Sequence, residues 1–108
     1  MTACIIGWAH TPFGKHSDET VESLVTRVAR EALEHAGLEA GDIDEIYLGH
    51  FNAGFSAQDF TASLVLQADD GFRFKPTTRV ENACATGSAA VHQGIKAIRA
   101  GAARRVLV

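Results

Sequence analysis

The chain is short of several things that would place it quickly. It has only two cysteines in 108 residues, Cys4 and Cys84, far apart and without a CxxC pair. A disulfide scaffold and a cysteine zinc site are therefore excluded, and a reducing compartment is the default expectation. It has no excess of basic charge: the formal net charge is −3. That removes the electrostatic case for a nucleic-acid or anionic-membrane partner. The opening residues Met1–His16 carry no basic stretch and only a short apolar run, unlike a signal peptide or a membrane span. The five histidines lack metal-ligand spacing. The glycines form neither GxGxxG nor GxxxxGK[ST], so a phosphate-cradling loop is not expected. Internal repeats and low-complexity stretches are also missing.

What remains is the composition of an ordinary globular domain, 46% apolar and 21% charged. Ala3–Trp8 reads as a first strand, closed by a turn-rich segment around Pro12 and Gly14. From Val21 the apolar positions Val21, Leu24, Val25, Val28, Ala29, Ala32, Leu33 and Ala36 follow helical spacing. Thr20 is placed to cap this helix and Gly37 to end it, with Glu22, Arg27, Arg30 and Glu34 as its solvated face. Asp42–Gly49 reads as a turn and a second strand, and His50–Ser56 as a loop broken by Gly54. A second helix is expected over Ala57–Ala68, burying Phe60, Leu64 and Val65 and stopped by Asp69–Gly71. A third strand, a third helix and a strand over Arg104–Val108 complete the order. Such alternation predicts an α/β domain with a mainly parallel sheet and right-handed crossovers.

The most informative stretch is Thr78–Gly101, where a short β-like run meets a helix with Cys84 at the junction. Helix N-termini present unpaired N–H groups and the positive end of the macrodipole, conditions that favour a thiolate nucleophile. The competing reading is a buried structural cysteine. Between Cys84 and Lys96 the helix has no charged side chain and is mostly small residues, among them Ala85, Gly87, Ser88, Ala89, Ala90 and Gly94. A helix without a polar face is expected to be covered all round. That fits the middle layer of a larger structure, and with the strand-like ending it suggests the N-terminal piece of a longer chain. Cys4 is expected to be a buried strand residue. Glu81 and Asn82 are read as shaping the turn before the helix. His92, two turns or roughly 11–12 Å beyond Cys84, is read as a packing residue. His50, at a strand end, keeps a minor claim on the site.

Taken in order and spacing, these features resemble the thiolase family, most closely the sterol-carrier-protein-type and related acetyl-CoA acetyltransferase branch. The resemblance rests on Asn82–Ser88, the Thr11–Lys15 turn, the first helix ending Ala36–Gly37, the Ile43–Gly49 segment and the Phe51–Asp59 loop. Asn82 lies two residues before Cys84, where many thiolases have it three before, and Thr86–Gly87 stands in place of a Ser–Gly pair. The resemblance implies a thiolase-like fold in which the Cys84 helix is buried. It also implies an acyltransferase in which Cys84 takes an acyl group from an acyl-CoA, for Claisen condensation or thiolytic cleavage of a 3-oxoacyl-CoA. The Cys84 N–H would form part of an oxyanion hole, where one donor aimed at developing charge is worth roughly 3–4 kcal/mol. Coenzyme A thioesters are then substrates, no cofactor is held permanently, and the setting is cytoplasmic fatty-acid and lipid metabolism. The full-length form is expected to be a homodimer or homotetramer, with Phe51–Asp59 near a dimer contact. The activating His and second Cys of the family belong to a C-terminal half, so residues 1–108 alone are expected to be inactive. Two alternatives stay open: another condensing enzyme of this fold, of the 3-oxoacyl-ACP synthase type, or a binding subunit that has lost catalysis.

Overall fold

The computed structural model describes residues 1–52 and 54–108. Three helices and three strands alternate: α1 (Val21–Ala36), β1 (Glu45–Gly49), α2 (Thr61–Leu64), β2 (Thr77–Val80), α3 (Thr86–Arg99) and β3 (Val106–Leu107). Among the described residues the strands form one parallel sheet in the order β2-β1-β3. This is the expected α/β architecture, and no helix among the described residues is long and apolar enough to cross a membrane.

The first helix begins and ends where its sequence signals lie. Thr20 Oγ1 accepts from the Ser23 N–H at 3.0 Å while Ser23 Oγ accepts from the Thr20 N–H at 2.8 Å, a reciprocal capping arrangement. At the other end Gly37 adopts φ 67°, and the Leu38 N–H returns to the Leu33 carbonyl at 3.0 Å. Its buried Ala29 and Leu33 join Ile43, Ile46, Val65 and Phe72 in the main core, with Phe72 at 0% exposure. Arg30 is more than a solvated side chain, because its Nε donates to the Ala68 carbonyl at 2.7 Å and ties α1 to the next layer.

Strand alternation then separates the two layers of helix. Ile46 and Leu48 point into the α1 core, whereas Gly49 faces α3. A Cβ at Gly49 would stand 3.1 Å from Thr86 Cγ2 and 3.1 Å from the Thr86 carbonyl oxygen. One at Gly94 would stand 2.8 Å from Val108 Cγ2. The two glycines let α3 lie directly on the sheet. Its buried residues Thr86, Ala90, Gly94 and Ala97 make a single stripe, and Val91 and His92 are exposed. The expected cover on all sides of this helix is thus met on one face only within the described residues.

Further expectations are corrected. Ala3–Trp8 is not a strand: it lies outside the sheet and is held against α1 instead, where a Cβ on Gly7 would stand 2.6 Å from Ala36 Cβ. It is tethered by the Trp8 N–H donating to His35 Nδ1 at 3.1 Å, and it walls one side of a cavity of about 660 Å³ between α1, the sheet and α3. Cys4, expected to be buried there, is exposed. The second helix is also shorter than Ala57–Ala68, being α-helical over Thr61–Leu64 and 3₁₀ over Val65–Ala68. Upstream, Asn52 Oδ1 accepts from the Ser56 N–H at 2.7 Å and closes the loop on itself. Phe60 then turns the chain at φ 38° and is left 70% exposed, whereas Val65 is buried as expected, Ala62 is buried beside it and Leu64 is half-buried. Gly54, the predicted loop breaker, has φ 81°; its neighbour Ala53 lies outside the described residues.

The short third strand depends on Asp44, whose Oδ2 accepts from the Arg104 and Arg105 N–H groups at 2.8 and 3.0 Å. These backbone donors hold its carboxyl below the usual value of 3.8. A lowered folded-state pKa stabilises the fold above the unfolded value and is lost as pH falls through the folded one. Asp44→Ala is expected to cost about 0.5–1 kcal/mol at neutral pH, the carboxylate being exposed and screened. Urea unfolding of the variant should also show less loss of stability in acid than the parent chain.

Candidate active site

Strands β1 and β2 end side by side, with Gly49 opposite Val80 and the His50 N–H donating to the Val80 carbonyl at 3.1 Å. This carboxyl edge is where open α/β sheets place their ligand sites. From Val80 the chain enters a tight turn over Glu81–Ala85 and then α3. Cys84 sits in the 3₁₀ turn Ala83–Ala85, immediately before the helix, with its thiol exposed. Cys84 is thus not a buried cysteine among the described residues.

The turn is strained and heavily tied. Ala83 has φ 44°, a left-handed conformation that residues with a Cβ seldom adopt. Glu81 Oε2 accepts from the Ala83 N–H at 2.6 Å. Thr86 Oγ1 accepts from the Asn82 N–H at 2.8 Å and donates to the Ala83 carbonyl at 2.6 Å. The Asn82 carbonyl accepts from the Ala85 N–H at 2.9 Å. Glu81 and Asn82 therefore shape the turn as expected, Glu81 through its side chain and Asn82 through its backbone. The part played by Thr86 was not anticipated. The available signal was a hydroxyl residue at a helix start, a type that binds nearby backbone groups.

The other histidines are dispersed. His10 packs edge-on against Phe13 with ring centroids 4.9 Å apart, and His16 Nε2 lies 2.7 Å from the Pro12 carbonyl oxygen. His35 holds Trp8, and His92 is exposed on α3. Among the described residues no group of three or more His, Cys, Asp or Glu side chains is arranged to hold a metal ion. His50 alone reaches the carboxyl edge. Burial, and then the Arg79 guanidinium, push its pKa below the ordinary 6.5. Arg79 is fixed there by donating from Nε and Nη2 to the His50 carbonyl at 3.1 and 2.8 Å. A depressed histidine costs stability as pH falls from the unfolded value through the folded one, since the unfolded chain binds the proton more readily. In an NMR titration the His50 ring should have its midpoint below 6.5. Arg79→Gln should raise that midpoint only part of the way, because burial is the larger cause.

Sequence and structure comparisons point in one direction. The family model of the thiolase N-terminal domain matches residues 3–108. Over 105 residues the chain is 41% identical to the acetyl-CoA acetyltransferase of Methanocaldococcus jannaschii, covering 96% of this chain and 26% of that protein. Its fold is similar to that of an acetyl-CoA acetyltransferase from Syntrophomonas wolfei, with a TM-score of 0.72 and 23% identity over 92% of this chain and 26% of the other. It is also similar to that of 3-oxoacyl-[acyl-carrier-protein] synthase III from Aquifex aeolicus, with a TM-score of 0.68 and 24% identity over 83% of this chain and 29% of the other. Those two likenesses are of fold alone. The chain spans about a quarter of the length of the curated relatives it matches. Matched along nearly all its residues by the thiolase N-terminal domain, and folded as an α/β domain of that type, the chain belongs to the thiolase family.

Proposed function

We propose that this chain carries the acyl-accepting nucleophile of a thiolase-type acyl-CoA acyltransferase, and that Cys84 is that nucleophile. The observation that carries the reading is the exposed Cys84 thiol on a side-chain-tied turn at the carboxyl edge of the sheet, opening α3. The Cys84 thiolate attacks the thioester carbonyl carbon of an acyl-CoA. A C–S bond forms to the enzyme, the bond to coenzyme A breaks, and the departing thiolate takes up a proton. A second acyl-CoA, having lost a proton from its α-carbon, then attacks the acyl carbonyl and expels the Cys84 thiolate. Thiolytic cleavage of a 3-oxoacyl-CoA is the same sequence run backwards. The backbone N–H of Cys84 supplies one donor to the tetrahedral oxyanion, a contribution of roughly 3–4 kcal/mol where such a donor is well aimed.

On this reading the substrates are coenzyme A thioesters, no cofactor is permanently held, and the setting is cytoplasmic fatty-acid and lipid metabolism. The working form is a homodimer or homotetramer, with the activating His and second Cys contributed by the family's C-terminal half. A condensing enzyme of the acyl-carrier-protein type shares the fold. The identity to an acetyl-CoA acetyltransferase favours the coenzyme A substrate.

The two thiols make a direct test, because both residues are exposed and both can be labelled in the folded chain. With iodoacetamide at neutral pH, peptide mass spectrometry should find Cys84 alkylated about tenfold or more faster than Cys4. Equal rates would overturn the assignment.

A further inference from the structure

We propose that Thr86 and Glu81 are positioning residues for Cys84, holding in place the strained turn on which the thiol stands; this rests on Cys84 being the nucleophile. A left-handed Ala83 at φ 44° persists only where its surroundings over-determine it. Two side chains do so. Thr86 takes the Asn82 N–H at 2.8 Å and gives its own hydrogen to the Ala83 carbonyl at 2.6 Å, so one hydroxyl fixes the peptide units on either side of the Asn82–Ala83 peptide. Glu81 takes the Ala83 N–H at 2.6 Å and closes the other side. Both polar groups of Ala83, the residue before the nucleophile, are thus held by side chains.

The hydroxyl is itself held from behind. Thr86 is 7% exposed, and the Gly49 backbone lies so close that a Cβ there would be 3.1 Å from Thr86 Cγ2. Placement therefore passes from the end of β1 to Thr86, from Thr86 to the Ala83 peptide, and from that peptide to Cys84. Ser23 makes a similar pair of bonds at the start of α1, but there no left-handed residue is held; at α3 the bonded carbonyl is that of Ala83 at φ 44°, next to Cys84.

The test compares Cys84 alkylation in variants, with Cys4 on its separate segment as the internal standard. Thr86→Val keeps the shape and removes both hydrogen bonds, and it should slow Cys84 about tenfold while Cys4 is unchanged. Thr86→Ser restores the hydroxyl and should recover most of the rate. Glu81→Gln keeps an acceptor for the Ala83 N–H and should retain most of the rate, whereas Glu81→Ala should lose about threefold. Thermal melts identify any variant that fails to fold. Should Thr86→Val be one, the exposed Glu81 pair decides. Wild-type Cys84 rates in both Thr86→Val and Glu81→Ala would overturn the proposal while leaving the nucleophile assignment standing. Equal Cys4 and Cys84 rates in the unmodified chain would sink that assignment first.

Discussion

The parallel pairing of β1 with β2 is the constraint on which the rest of the structure depends. Its register sets Ile46 opposite Thr77 and Gly49 opposite Val80, so both strands release the chain at one edge. That pairing puts His50 beside the Val80 carbonyl and starts the Glu81–Ala85 turn at the same level. It also brings the bare backbone of Gly49 under Thr86. A slip of one residue would turn Ile46 and Leu48 out of the core and a side-chain-bearing residue toward α3. Burial of Ile46 and Phe72 therefore fixes the site indirectly, by fixing the register.

Local signals were legible in the sequence wherever one short stretch decided the outcome. Thr20, the apolar stripe and Gly37 mark α1 to the residue, because its caps are made by its own neighbours. Cys84 at a helix start was legible for the same reason. Competition for partners was not. Ala3–Trp8 has a strand's composition, but a strand exists only if another pairs with it, and this segment is held by α1 through Gly7 against Ala36 and Trp8 on His35. Helical spacing suggests Phe60 as a core residue, but the helix begins only after it, since its own φ of 38° breaks the run.

The site shows the same division. Which residue bears the thiol follows from the sequence, and so does the turn-shaping part of Glu81. The left-handed Ala83 carries no sequence mark, being an alanine where glycine or asparagine would advertise the conformation. It exists because Thr86 and Glu81 bind it, and those bonds require the folded turn. The effect of Arg79 on His50 likewise needs two strands in register before the charges can meet.

The extended Ala3–Trp8 segment has a colloidal consequence. It presents Ile5, Ile6 and Trp8 to solvent. An apolar ribbon of this kind, free of proline and charge, is a template for strand addition between molecules. The sheet that leaves the segment out thus leaves a row of exposed apolar side chains, a surface that favours association between copies.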